Sequence, residues 1–376
     1  MKKIIIWIVI IIVVVGLGWL VGNNKTSVPD NKETVKIGVI TAMTGSGAAY
    51  GEEMKKGIDL AVQEINKSTE TPLEVIYEDY QWDPKLALPV YNALKLKGVK
   101  IFIPDGSQGV SILGPEIVKD GNISFVASSV TPKYKDGSPL TCRLALTAEN
   151  YGPALADFIF NKLGKNKVDT LYVNNEQGVS IQKAFEESYK KLGGEIVIKE
   201  NFLPDATDFR TQIAKIKADK EAEVVVVGNY AKSASQMFTQ IKELELKKQL
   251  VAENWTANNP AITDKSIEEG LYFIDYKFSI DGGGNSQLTN GFINKFVSVY
   301  GAKPNLQAAQ GYNLIKVIET ALAGSSNNSP AEIAKSAIQI KDLEIVGGKV
   351  SLNSDCEAQR ETAVRQVLNG AVTNVN

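Results

Sequence analysis

The sequence predicts an α/β protein of two lobes, each a sheet covered by helices, preceded by one transmembrane helix. Three observations carry that reading. Short β-rich runs alternate with helical periods from Val35 onward. The alternation breaks at Thr131 to Thr147, which holds Pro132, Gly137 and Pro139, and then restarts. Ahead of all this, Ile4 to Val21 contains no charged or polar side chain.

The apolar run is taken first. At about 1.5 Å per residue it spans roughly 27 Å, close to the thickness of a bilayer core. Lys2 and Lys3 precede it, Trp7 and Trp19 lie near its ends, and only Lys25 follows soon after. The positive-inside rule then puts the amino terminus in the cytoplasm and everything after Asn23 outside. A cleaved secretory signal is the alternative. Signals have shorter apolar regions that end in small residues, whereas this run ends Trp19-Leu20-Val21-Gly22. Residues 1–22 are expected to be an uncleaved anchor. Residues 23–34 are polar, include Pro29 and read as a flexible linker.

The first α/β series follows. Val35 to Ile40 is a β-rich run, and Gly47 to Asn66 has helical spacing through Met54, Ile58, Ala61, Val62 and Ile65. Leu73 to Tyr77 is a strand, and Asp83-Pro84 opens a helix as N-cap and first residue. Val99 to Ile103, Val110 to Lys119 and Ile123 to Ala127 read as strand, helix and strand. Such a series implies a parallel sheet. In the second series, helices at 151–163, 177–192, 208–218 and 233–245 alternate with strands at 168–173, 195–200 and 223–227. Strands near Gln249 and Leu271 complete it. Helices at 290–300, 307–322 and 330–338 come last. The first lobe is expected at 35–147 with a return segment of about 279–350. The second is expected at 148–278 with a closing segment of about 351–376. A site between the lobes would lie at the carboxyl ends of the strands.

Composition excludes whole classes of function. The 376 residues include no histidine, which removes the Ser-His-Asp triad, the Cys-His dyad and the HExxH zinc site. Two cysteines are too few for a Cys₄ metal site. The 41 Lys and Arg nearly balance the 43 Asp and Glu, so nothing in the charge favours nucleic acid.

Residues 35–66 read VKIGVITAMTGSGAAYGEEMKKGIDLAVQEIN. With Glu78-Asp79, Asp83-Pro84-Lys85, Gly228-Asn229-Tyr230, Glu269-Gly270-Leu271, Pro304 and Tyr312, this opening resembles the type I periplasmic binding proteins. The similarity is to the Leu/Ile/Val-binding branch of ABC-transporter receptors, over roughly residues 35–355. The resemblance implies two Rossmann-like three-layer lobes joined by three crossing strands, closing on a ligand. It implies an extracytoplasmic solute-binding protein, not an enzyme, with no cofactor or metal. The expected ligand is an amino acid or similar small polar solute, and the expected partners are an ABC permease with its ATPase. The chain is expected to be monomeric and to bind no nucleic acid.

The resemblance also implies a site. Ser107 or Gln108, after the third strand, would donate to a ligand carboxylate. Ser128 or Ser129 would add a hydroxyl where the family often has a Thr at the position of Val130. Tyr50 would wall the ligand side chain, and Tyr230 would contribute from the second lobe. Gln177 stands where the family has an aromatic. Glu253, or its neighbour Asn254, would pair with an ammonium, and Trp255 either lines the cleft or caps a lobe. The family's usual first-lobe disulfide is absent. Cys142 and Cys356 either pair near the hinge or remain buried thiols. Gly45-Ser46-Gly47-Ala48-Ala49-Tyr50 nearly matches a dinucleotide fingerprint, but Tyr replaces its last small residue, so an NAD oxidoreductase is a remote alternative. A sensor that presents the same solute to a membrane signalling receptor is the nearer one.

Overall fold

β1 (Val35–Thr41) is buried along almost its whole length because it has strands on both sides and helices on both faces. The computed structural model describes residues 34–68, 71–130, 138–228, 233–257, 259, 262–276, 286–360 and 362–375. The expected anchor, residues 23–33 of the expected linker, and Tyr230 lie outside the described residues. Among those described, no helix is long and apolar enough to cross a membrane.

After β1 come α1 (Ala48–Ile65), β2 (Leu73–Asp79), α2 (Pro84–Leu96), β3 (Ile101–Pro104), α3 (Ser107–Lys119), β4 (Ile123–Val126) and β5 (Thr141–Arg143). Asp83 caps α2 by accepting the Lys85 N–H at 2.9 Å, with Pro84 at the first position. The sheet order is β2-β1-β3-β4-β5, and every pair is parallel.

The second series is α4 (Ala148–Asp157), β6 (Lys167–Val173), α5 (Glu176–Lys191), β7 (Glu195–Phe202), α6 (Arg210–Ala218) and β8 (Val224–Gly228). It continues with α7 (Ala234–Glu243), β9 (Gln249–Glu253), the single turn α8 (Asn254–Ala257) and β10 (Tyr272–Tyr276). The chain then forms α9 (Gln287–Tyr300), α10 (Leu306–Ala323) and α11 (Pro330–Ala337). Five short strands close it: β11 (Leu343–Ile345), β12 (Gly348–Leu352), β13 (Ala358–Gln359), β14 (Thr362–Leu368) and β15 (Ala371–Asn374). The second sheet runs β15-β14-β10-β9-β8-β6-β7, with β14 antiparallel to β10 and β15 antiparallel to β14.

Two large apolar clusters follow from this connectivity. Phe292, Ile315, Ile318, Ile333 and Val350 from the late segment pack with Ile37, Ile101 and Phe125 of the first sheet and Ile58 of α1. Leu155, Phe185, Val225, Phe238 and Phe273 belong to the second. Tyr50 and Leu306 join this second cluster although their helices start beside the first sheet.

The passages between the lobes are tied together. Cys142 and Cys356 form a disulfide. Beside it, the Arg143 guanidinium makes two hydrogen bonds to the Glu357 carboxylate, at 2.8 and 2.9 Å. The Arg143 N–H donates to the Cys356 carbonyl at 2.8 Å. Tyr276, at the end of β10, accepts on its hydroxyl from Leu146 N at 3.3 Å and from Gln310 Nε2 at 3.1 Å. The Arg360 guanidinium lies 3.9 Å from the Tyr276 ring centre.

Two features differ from the sequence reading. The expected helix at 151–163 begins three residues earlier and ends in a π-helical stretch, Phe158–Lys162. The five closing strands were not read at all. They are short and broken by turns with positive φ at Asp342, Cys356 and Asn369, so none has a long alternating period. Asn369-Gly370, both left-handed, is a two-residue hairpin signal that was there to be read.

Helices α1 and α10 approach at paired glycines. A Cβ at Gly57 would lie 1.9 Å from the Ala308 carbonyl oxygen, and one at Gly311 would lie 2.2 Å from that of Met54. Both obstacles are backbone, so a methyl group would force the helices apart. Gly311→Ala is expected to cost about 1–3 kcal/mol by overpacking and to lower the melting temperature by several degrees. An unchanged melting curve would show that the helices are not in this contact.

Candidate functional site

The loops that follow β1, β2, β3 and β4 all open at the carboxyl edge of the first sheet, facing the starts of α5 and α8. Between them is a narrow cavity with about 20 Å³ free, room for a single water molecule. The first lobe supplies Tyr50, Met54, Trp82, Asp105, Gly106 and Ser128. Gln177 and Trp255 come from the second lobe, and Gln307 and Gln310 from the start of α10. A wider groove bordered by Lys217, Glu223, Lys247 and Glu269 is open to solvent and belongs to one lobe.

Trp82 is presented by a constrained loop. Gln81 and Trp82 both have left-handed backbones, with φ of 58° and 57°, which is unfavourable for side chains of this size. Asp79 holds the loop by accepting from Gln81 N at 2.9 Å and Met43 N at 3.0 Å, and from the Thr44 hydroxyl. Burial raises the Asp79 carboxyl, but these bonds outweigh it and bring it below its ordinary range. The indole lies over Gly47, where a Cβ would come within 2.4 Å of the ring. Its ring centre is 5.5 Å from that of Tyr50, which is 6.5 Å from that of Trp255. The Tyr50 hydroxyl reaches across the lobes to the Trp255 carbonyl at 3.5 Å, the outer limit of a hydrogen bond.

Asp105 is the carboxylate on the cavity wall, only 3% exposed. Burial pushes its carboxyl up, partly offset by bonds from Ser128, Thr41 and the Gly106 N–H. The Thr41 hydroxyl donates to it at 2.7 Å. The Trp82 indole N–H faces the same group without completing a hydrogen bond of full geometry. Among the described residues, no Lys or Arg pairs with Asp105 or lines the cavity. Two buried donors on the opposite wall, Gln177 Nε2 and Trp255 Nε1, have no partner.

The residues expected from the sequence are divided by the structure. Tyr50, Ser128 and Gln177 line the cavity. Ser107 bridges the lobes, donating to Gln177 Oε1 at 3.5 Å and accepting from Val130 N at 3.3 Å. Ser129 is buried with an unpartnered hydroxyl but is not on the lining. Gln108 is exposed, because the first turn of α3 turns Ser107 inward and Gln108 out. Glu253 and Asn254 do not line this cavity. The Glu253 carboxylate accepts from Trp255 N, from Thr256 N at 3.2 Å and from the Thr256 hydroxyl, which caps α8. Its side chain borders a separate space inside the second lobe, with Tyr172, Gly178 and Gly228. Asn254 accepts from the Tyr151 hydroxyl and donates to Asp275 at 3.1 Å.

Met54, Trp82, Asp105, Gln307 and Gln310 were missed. Trp82 had a local signal, since it directly precedes the Asp83-Pro84 helix start at the end of β2. Gln307 and Gln310 sit over 200 residues from Tyr50 in the chain, and no local pattern points to them.

Comparison with known proteins follows the same geometry. The profile described as periplasmic binding protein matches residues 34–371. The chain belongs to the periplasmic binding protein family. It is 25% identical over 311 residues to the Leu/Ile/Val-binding protein of Escherichia coli strain K12, covering 81% of this chain and 82% of that one. Leu/Ile/Val-binding protein homolog 2 of Brucella abortus is 24% identical over 342 residues, covering 89% of each. Among solved structures, the branched-chain amino acid transporter substrate binding protein of Streptococcus pneumoniae, in complex with isoleucine, superposes with a TM-score of 0.82 at 26% identity. That match covers 91% of this chain and 99% of that one. A solute binding protein from R. palustris in complex with benzoate shares the fold at a TM-score of 0.83 and 16% identity, covering 91% and 96%.

Glu253 offers a stability test. Burial pushes its carboxyl up to about 7, against the bonds from Thr256 and Trp255. A carboxyl raised on folding stabilises the fold at acid pH, and that contribution is lost as pH rises through the folded value. The window is therefore roughly pH 4.5 to 7 and just above. Glu253→Gln is expected to flatten the fall in melting temperature between pH 6 and pH 8 compared with the parent chain. Parallel pH profiles for the two would remove Glu253 as the cause.

Proposed function

We propose that this chain captures an amino acid or similarly small polar solute between its lobes and hands it to an ABC permease on the outer face of a membrane. The observation that carries the reading is a polar and aromatic cavity whose wall comes from both lobes and closes through cross-lobe contacts. A solute held by both walls stabilises the shut form by its greater affinity for it, so ligand shifts the balance between open and shut. Release to a permease then requires only reopening.

The cavity chemistry supports a solute with two kinds of polar group. Gln177 Nε2 and Trp255 Nε1 are buried donors that a ligand carboxylate or carbonyl would satisfy. Asp105 and Ser128 offer acceptors on the facing wall. Met54 and the aromatic rings offer an apolar surface for the rest. Isoleucine, held by the S. pneumoniae relative, has this combination of groups. An anchor at residues 1–22 would keep the lobes close to the permease, and the linker at 23–34 would let them turn toward it.

Isothermal titration of the purified full chain against amino acids, amides, urea, short peptides and aromatic acids tests the reading. At least one compound is expected to bind in the micromolar range, about −8 kcal/mol. Gln177→Ala is expected to weaken that compound by tenfold or more, because a ligand acceptor would lose its buried partner. A chain that binds nothing in the panel would refute the reading.

A further inference from the structure

We propose that the crossing between the lobes carries a second binding site, for a small oxyanion, built on Arg360 and separate from the cavity described above. A groove open to solvent, with about 590 Å³ free, lies there and is bordered by Glu149, Asn150, Arg360 and Thr362. Arg360 carries the argument. Its side chain is half-buried, and its guanidinium lies 3.9 Å from the Tyr276 ring centre. Among the described residues it has no carboxylate at ion-pair distance and no hydrogen-bond acceptor. The chain's three other arginines each have one. Arg143 bonds to Glu357, Arg210 to Asp208 and Glu243, and Arg365 to the Tyr276 carbonyl. A guanidinium partly withdrawn from water without an acceptor is unfavourable, and a bound anion would relieve it.

Neighbouring groups do not supply that acceptor. Burial pulls the guanidinium below its ordinary range, and Tyr276, Asp275 and Tyr151 offset this only in part. The Asp275 carboxylate is buried and already accepts from Asn254 Nδ2 at 3.1 Å and from Tyr276 N at 2.8 Å. Contact with a ring uses the face of a guanidinium, whereas bidentate bonds to an oxyanion leave from its edge, so the two are compatible. Asn150 adds a donor. Its Oδ1 takes the Thr147 N–H and hydroxyl at 2.8 and 2.9 Å, and its Nδ2 has no partner among the described residues. With the Thr362 hydroxyl, the groove offers guanidinium, amide and hydroxyl donors together. Glu149, the one carboxylate among its described lining residues, is exposed and would oppose an anion. The groove is joined to the solute cavity through Tyr276, whose hydroxyl accepts from Gln310 on that cavity's wall.

The oxyanion has two sources, an inorganic phosphate or sulfate and the carboxylate of an organic acid. Isothermal titration of the full chain with phosphate, sulfate and acetate, at constant ionic strength in chloride, tests the site. At least one of the three is expected to bind saturably. Phosphate or sulfate ahead of acetate identifies the inorganic source, and acetate ahead of both identifies the carboxylate. Arg360→Gln is expected to weaken the bound anion by about tenfold or more. Arg360→Lys keeps the charge without the planar fork and is expected to weaken it about threefold or more. Glu149→Gln removes the opposing charge and is expected to tighten binding by about twofold or more. Glu149 is exposed, so this variant tests the site even where Arg360→Gln does not fold. Gln177→Ala is expected to change the anion affinity by less than about twofold, because the donor it removes faces the other cavity. Absence of saturable binding would overturn the inference. So would unchanged affinity in Arg360→Gln or in Glu149→Gln, or a loss in Gln177→Ala, which would put the anion in the solute cavity.

Discussion

The site depends on the place where the chain passes between the lobes. Residues 142–146, 276 and 356–360 converge there, and Tyr276 is their centre. Its hydroxyl accepts from Leu146 and from Gln310, and its ring carries Arg360. The Cys142–Cys356 disulfide and the Arg143–Glu357 pair tie the first passage to the last. Gln310 also lines the cavity, so the crossing and the site share a residue. Two half-sites on separate sheets can meet within hydrogen-bond distance only if the backbone between them has few arrangements. This set of contacts supplies that restriction.

Within that frame, the cavity is arranged around polar groups that the protein does not fully satisfy. A buried carboxylate with no basic partner among the described residues and two buried donors without acceptors are each unfavourable. Such groups are tolerated where a ligand supplies the missing partners. Stability and binding are therefore linked through the same atoms. The strained loop at Gln81 and Trp82 fits this pattern, since Asp79 and Gly47 hold it in place to present one indole.

Much of the fold was legible, for a simple reason. Parallel strands buried on both faces and amphipathic helices produce strong local periods, and those at β1, α1 and β8 stand out in the sequence. The closing strands did not, because most are too short, at two to five residues, to show a period of their own. Part of the site was legible too. Tyr50, Ser128 and Gln177 lie in the segments that follow strands, at the sheet edge where the fold class places ligands. Asp105 and Trp82 also sit at strand ends, yet their types alone did not separate them from ordinary turn residues. Glu253 was harder to place, because a carboxylate just before a helical turn has two possible uses. The backbone N–H groups of α8 took it.

By itself, the sequence determined the class of the fold, the order of its elements as far as α11 and the edge of the sheets where a site would form. It also excluded histidine-based catalysis, since no such residue exists in the chain. Only the tertiary structure decided which side chains share the cavity. Tyr50, Asp105, Gln177, Trp255 and Gln307 lie on separate elements, and their meeting depends on how the sheets, helices and crossings pack. Local periodicity encodes which face of an element is buried. It does not encode which distant element is packed against that face, and the chemistry of the cavity is set by that pairing.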